Sequence, residues 1–435
     1  MKHRSIALPI CFIQKFFAIP LLLISFVMQA YDFKLDGFHY DFNPENDKVV
    51  SVVGHDYILI SESGSLTIPE HVTYNSRTYT VDCIGDSAFK DLRNLDRMTI
   101  PKSIKTIGAM SFFRSGLSFV TIGDSVTSIG DRAFKYTDLR KVSIPSSVKT
   151  IGAEAFWCCF KLENVVIGES VTNIGYRAFA NCKLSEIVIP DSVISIGWSA
   201  FNGSLVSVTI GKSVKEIGAF AFSSSKLSKI SVDKGNKYFR VVDNILYSKD
   251  MSEIICFSPY RKISFTIPDS VTRIVDGAFS DCFELKSVTI NNNVSDIEER
   301  GFINCPHLET MYCNRRYPPE HPVGTYKNNY YKYCVLYVPE GCRSNYESTW
   351  PWNNFKDIIE MDFSGVEKFS VDNAGFEIVV SDGVIHINGA DTDTWVEIYS
   401  TTGTCLFSGK NMSITGLPKG IYIVRVGDYN KKVLI

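Results

Sequence analysis

The sequence predicts a repeat solenoid, rich in β structure with short helical turns, that ends in a small all-β sandwich. Three observations carry that prediction. A unit reading S-V-x-x-I-G-x-x-A-F, then a short polar turn and L-x-x-V-x-I-P, returns about every 22 residues, and such self-similarity marks stacked repeats. One unit has too few apolar side chains to close a core, so its Ile, Phe, Leu and Val must stack on the same positions of its neighbours. After Ser364 the repeat stops, and about 70 residues of short alternating strands and turn signals follow.

The repeat isoleucines are Ile84, Ile107, Ile129, Ile151, Ile174, Ile196, Ile217, Ile274 and Ile297. The matching phenylalanines are Phe89, Phe112, Phe134, Phe156, Phe179, Phe201, Phe222, Phe279 and Phe302. Nine units at one spacing exclude coincidence. The second half of each unit alternates, as in Leu139, Val142 and Ile144, so it reads as a short strand with one buried face, and these strands should align as a parallel sheet. Pro145 with Ser147, Gly168 with Ser170 and Pro190 with Ser192 read as turns into a second extended stretch. The Ala-Phe pair is expected on a short helical turn. Between Ile217 and Ile274 the spacing breaks by 57 residues. There 238–242 and 245–247 read as strands around Asp243-Asn244, with 253–257 beyond, and a hairpin over about 233–263 projecting from the solenoid is the simplest reading. The last two units are degraded, since Val275 and Glu298 replace the glycine and Gly301 replaces the alanine, as happens towards a cap.

The start of the chain differs in kind. Lys2, His3, Arg4 and Lys15 precede the uncharged run 16–27, which ends in Met28, Gln29 and Ala30, and residues 1–30 read as a secretory signal cut after Ala30. A membrane span needs about 20 apolar residues, and this run is shorter and contains Pro20. Cys11 precedes the apolar run, so no lipid anchor is expected, and no transmembrane helix is expected in the exported chain. Removal takes three of the 45 Lys and Arg and none of the 47 Asp and Glu, leaving a net charge near −5 that disfavours nucleic acid as a partner. Eleven of the 12 cysteines remain, with no Cys-x-x-Cys pair, so disulfides are permitted and not demanded.

Ile-Gly-x-x-Ala-Phe with Leu-x-x-Val-x-Ile-Pro resembles the BspA-like leucine-rich-repeat family of bacterial surface proteins, over roughly residues 31–360. The fold class implied is a leucine-rich-repeat solenoid over 79–313. Residues 31–78, with Gly37, Tyr40 and Ile68-Pro69, resemble the family's N-terminal cap, and 314–363, with Tyr346, Trp350 and Phe355, its closing unit. The resemblance implies a secreted or surface-exposed protein assigned to adhesion, with host or bacterial surface proteins or glycans as partners. Beyond it, residues 364–435 resemble the type IX secretion sorting domain of Bacteroidetes. Gly420, Ile421 and Tyr422, then Lys431, Lys432 and Val433, carry that match. It implies passage through the type IX machinery to the outer surface of a Gram-negative bacterium, or release from it. A plain β-sandwich is the alternative.

The sequence carries no recognisable catalytic or cofactor motif. None of His39, His55, His71, His307, His321 and His386 pairs with another at i, i+4 spacing. No Gly-x-Ser-x-Gly, P-loop or nucleotide-binding glycine run follows a strand. No catalytic residue, cofactor or metal is expected. Cys159, Cys182, Cys282 and Cys305 each lie three residues after the repeat phenylalanine and read as buried small apolar side chains, with a metal or redox role as the alternative.

The strand positions that alternate outward define the candidate ligand face: Arg97, Phe119, Lys141, Asn164, Glu186 and Lys229, with Val166 and Val188 in the second row. An ordinary solvated β face is the competing reading for each position. Phe119, Val166 and Val188 are its apolar exceptions. The row continues through Ser287, Thr289, Thr310 and Tyr312. Tyr326, Tyr330, Tyr331, Tyr333 and Tyr337, with Trp350 and Trp352 nearby, either stack on sugar rings or fill the terminal cap. The function expected is an exported, adhesin-like binding protein acting through the extended face. The alternatives are a glycan-binding accessory in nutrient capture and a secreted enzyme of unrecognised type. Phe119→Ala is expected to weaken binding and leave folding intact.

Overall fold

The computed structural model describes residues 31–56, 64–224, 226–259, 262–320, 329–361 and 363. Beyond Ser364 it describes 367–370, 376–381, 384–390, 393–400, 404–410, 413–417, 421–427 and 429–434. The proposed signal, residues 1–30, lies outside these. Within them the chain is a β-solenoid of stacked coils in which Arg343–Glu347 is the one described α-helix.

Each regular coil carries two strands. The longer ones, such as Lys141–Ser143 and Asn164–Val166, pair in parallel, and so do the two-residue strands Thr106–Ile107, Ser128–Ile129 and Thr150–Ile151. The register is strict: Ile107, Ile129, Ile151, Ile174, Ile196 and Ile217 face one another from coil to coil. Inside, the phenylalanines form one column, with neighbouring rings from Phe89 to Phe201 stacked 5.0–5.3 Å apart.

The third side of the coil is not helical. From Phe89 to Phe279 the residue two before the repeat phenylalanine is left-handed, as at Arg132 (φ 58°), Glu154 (57°) and Arg177 (49°), and in most units so is the residue two after it, as at Tyr136 (60°) and Asn181 (56°). Left-handed backbone costs an L-residue roughly 1–2 kcal/mol. In return the alternation turns every second N–H towards the next coil: Arg132, Phe134 and Tyr136 donate to the carbonyls of Ala153, Ala155 and Trp157 at 2.7–3.0 Å. A helical turn would point those groups along its own axis and leave the coil edges unpaired.

The glycine after each isoleucine answers to the same closeness. A Cβ on Gly175 would lie 2.6 Å from the carbonyl carbon of Gly152 and 2.7 Å from Ala153 N.

The insertion does not project. Phe239–Val242, Ile245–Ser248 and Glu253–Cys256 pair antiparallel in turn, and the third of these then pairs in parallel with Arg273–Ile274. Phe257 stacks on Phe279 at 4.6 Å and donates its N–H to the Ala278 carbonyl, as a repeat phenylalanine does. Ser264–Thr266 pairs in parallel with Ser287–Ile290. The segment expected as a hairpin therefore contains a tenth coil, shortened at its turn. Burial of Ile254, Phe257 and Ile267 drives it back into the stack.

The C-terminal region forms two four-stranded antiparallel sheets around Ile378, Ile385, Val396, Ile398, Val424 and Val426. The final hairpin pairs Ile421–Val426 with Tyr429–Leu434. This unit lies on the strand side of the last coils: Glu367–Ser370 meets Ser264–Thr266, and Asn388 Nδ2 donates to the Tyr312 hydroxyl at 3.2 Å.

Candidate functional site

The parallel ladder sets the predicted face. Arg97 is registered with Phe119, Lys141 with Asn164, Glu186 with Ser207 and Ser207 with Lys229, so up to the insertion the first row runs over three short parallel sheets, interrupted between Phe119 and Lys141 and between Asn164 and Glu186. Lys141, Asn164, Glu186 and Lys229 are exposed. In the second row Val166 and Val188, one coil apart, are 57% and 64% exposed. Phe119 differs from the expected open platform. It is half-buried, and the Arg97 guanidinium lies 4.2 Å over its ring, held also by Asp96 at 3.3 Å. Beyond the insertion the expected row turns mostly inward: Ser287, Thr289 and Tyr312 are buried and Thr310 is half-buried. The C-terminal unit covers that end, which a strand pattern cannot reveal because Ser and Thr alternate there as they do on an open face.

The residues expected to carry a sorting signal lie, where described, on the final hairpin. Tyr422 and Val433 are cross-strand partners with both side chains buried in the sandwich, while Ile421, Lys431 and Lys432 lie on its strands. Gly420 lies outside the described residues.

The cysteine column is structural in geometry. Cys159, Cys182 and Cys305 are buried and donate their thiols to the carbonyls of Phe134, Phe156 and Phe279 at 3.0–3.2 Å. In this column burial raises the Cys182 and Cys282 thiols, whereas at Cys159 burial is outweighed by hydrogen bonds with Cys182 and Thr137 that lower it. A thiol held protonated is a poor metal ligand or nucleophile. Among the described residues no His, Cys, Asp and Glu group is arranged to hold a metal.

The aromatic cluster divides. Tyr331 packs on Phe355 at 4.9 Å, and Trp352 is buried against Tyr346 and Phe355, so these fill the cap. Tyr337 stacks on Tyr312 at 4.9 Å. Tyr333 and Trp350 are exposed. Tyr326 and the Tyr330 side chain lie outside the described residues.

A second surface was missed at sequence level. On the left-handed turn edge, side chains beside the Ala-Phe pair stand outward at the coil spacing. Tyr176 stacks on Trp198 at 5.3 Å, and Trp198 meets the Phe220 ring edge-on at the same distance. Arg177 lies within 4.9–5.3 Å of the Trp157, Tyr176 and Trp198 rings. From across the insertion Arg300 reaches back to Phe220 at 5.0 Å and Trp198 at 5.6 Å. Trp157, Arg177, Trp198, Phe220 and Arg300, with Ala180 and Ser199, line an open cleft of about 320 Å³. Reading the two positions between the repeat glycine and alanine as columns would have found it, since Tyr176 and Trp198 share one column and Arg177, Phe220 and Arg300 the other.

Next to this edge the buried Glu154 carboxylate accepts from Arg132 and Lys135, both at 2.8 Å, and Lys135 Nζ lies 3.7 Å over the Trp157 ring. Burial pushes its pKa up, but the hydrogen bonds from Lys135 and Arg132 prevail and hold it below the usual carboxylate range. A carboxyl depressed in the folded state contributes stability that is full above the unfolded value, near about 4.3, and is lost as pH falls through the folded one. Glu154→Gln should therefore lower the melting temperature at pH 7, and the gap to the parent should close as pH falls below about 4. Thermal unfolding followed from pH 7 to pH 3 checks this, and a pH-independent gap would refute it.

Among the described residues no helix is long and apolar enough to cross a membrane. Comparison with solved structures finds the same fold in bacterial proteins. A leucine rich cell surface protein from Faecalibacterium prausnitzii A2-165 aligns with a TM-score of 0.51 at 22% identity, covering 76% of this chain and 95% of that one. The pneumococcal vaccine antigen PcpA aligns at 0.50 and 19% identity, over 76% and 98%. A leucine-rich repeat protein from Eubacterium ventriosum ATCC 27560 aligns at 0.50 and 19%, over 70% and 75%. At such identities the likeness establishes the fold. Comparison with curated proteins returned no match. The family model of the BspA type leucine rich repeat region matches in six copies, over residues 65–185, 172–264 and 253–334. It is a repeat region rather than a catalytic family, and its last two matches run through the segment that folds as the extra coil. With strand, turn and phenylalanine column repeating through those same residues, the chain belongs to the BspA-type leucine-rich-repeat family.

Proposed function

We propose that this chain is an exported, adhesin-like binding protein, secreted or attached to the outer surface of a Gram-negative bacterium. It recognises a host or bacterial surface protein or glycan through the strand face. The observation that carries this reading is the pair Val166 and Val188, more than half exposed on successive coils and flanked by Lys141, Asn164 and Glu186, with Lys229 two coils further on. An apolar centre with a polar rim is how protein interfaces are built. The family's surface character and the cell-surface description of the Faecalibacterium protein support the location. In this reading residues 1–30 direct export, and the terminal hairpin with Tyr422, Lys431, Lys432 and Val433 is read by the type IX machinery.

The test is binding of the full chain to matrix proteins and glycans arrayed side by side. Val188→Asp should weaken a saturable hit about tenfold or more by burying an unpaired charge at the contact, yet shift stability by no more than about 0.5 kcal/mol as a surface change. A hit untouched by Val188→Asp would move the ligand off this face.

A further inference from the structure

The turn-edge cleft combines three properties in one concave site. Its walls are ring faces and edges from Trp157, Trp198 and Phe220. Asn181 and Asn202 line it, the Asn181 amide nitrogen lying 3.7 Å from the Cys158 sulfur. Its charge is uneven. Arg300 is neutralised by Asp276, which takes its Nε at 3.1 Å and a terminal nitrogen as well. Arg177 has no carboxylate within ion-pair distance among the described residues, and its guanidinium is surrounded by rings instead. Rings orient and partly desolvate a guanidinium while leaving its hydrogen-bonding edge for an anion. The insertion matters here, because the shortened coil brings Gly277 against the Phe220 ring and lets Arg300 close the far wall.

We propose that this cleft binds a saccharide residue carrying a carboxylate. The apolar C–H face of a sugar ring stacks on the aromatic walls, the amides of Asn181 and Asn202 meet hydroxyls, and Arg177 takes the carboxylate through paired N–H groups. The volume suits one or two sugar rings at the scale of small-molecule sites. A long polyanion is disfavoured by the net negative charge of the exported chain. The proposal rests on the chain being a binding protein and not on which residues of the strand face are used.

The test is titration of the full chain with 3′-sialyllactose and digalacturonate, with lactose and a sulfated lactose as comparisons, followed by calorimetry and by tryptophan fluorescence. The carboxylated sugars should bind and perturb the fluorescence, with lactose at least about tenfold weaker, the scale of one lost hydrogen bond to a charged group. Arg177→Met should remove that preference with the melting temperature unchanged, Arg177→Lys should restore part of it, and Trp198→Ala should weaken every sugar. Equal binding of lactose, equal binding of the sulfated sugar, or indifference to Arg177→Met would overturn the assignment. Val188→Asp should leave the titrations unchanged. If no sugar binds while the array hit persists and depends on Val188, the cleft proposal fails and the strand-face reading stands.

Discussion

Phe156→Ala is expected to destabilise the chain by about 3–5 kcal/mol, the cost of a large buried aromatic truncated in a core that cannot collapse around the void. Phe156 is fully buried and stacked on both sides, on Phe134 at 5.1 Å and on Phe179 at 5.0 Å. Each coil is fixed to its neighbours by the isoleucine register and by N–H bonds at both edges of the turn, so the adjacent rings have no freedom to close the gap. In a solenoid the loss is also local, because stability is a sum of coils and the contacts between neighbours, and the break divides the stack at its middle. Urea unfolding should show a lower midpoint, with a second transition where the two halves uncouple. Phe119→Ala, which truncates a half-buried ring on the surface, serves as the comparison. Equal losses from the two would refute the division between packing column and outer face.

Gly175→Ala should cost about 3 kcal/mol, the upper end of the ordinary overpacking range. The added methyl would press on the Gly152–Ala153 peptide group of the preceding coil at 2.6–2.7 Å, and backbone, unlike a flexible side chain, cannot swing aside. Relief requires the coils to separate, which strains the hydrogen bonds on either side, including Gly175 N–H to the Ile151 carbonyl at 2.9 Å. Gly341→Ala offers the contrast. Gly341 has φ +72° with nothing within 4 Å of the added atom, so only the backbone penalty of about 1 kcal/mol applies. Thermal unfolding of both variants separates close approach from conformational preference, and a smaller loss at Gly175 than at Gly341 would contradict the account.

The solenoid and its parallel ladders were legible because period, strand alternation and burial repeat in every unit. The extra coil was not, since its apolar anchors Ile254 and Phe257 stand three residues apart where the other units space them by five. Nor was the left-handed turn. The residues that adopt it include Met110, Arg132, Glu154 and Phe220, none of which advertises positive φ. Pairing with the next coil, and not local preference, places them there.

The same division runs through the candidate surfaces. By itself the sequence determined which side chains point inward and which line the strand face, because both follow from a two-residue alternation along the chain. Only the tertiary structure decided that Arg97 covers Phe119, that the C-terminal unit lies against Ser264–Thr266 and Tyr312, and that Arg300 meets Phe220 across the insertion. These contacts join residues far apart in the chain, and their occurrence depends on how whole coils stack, a quantity that no local pattern of residues encodes.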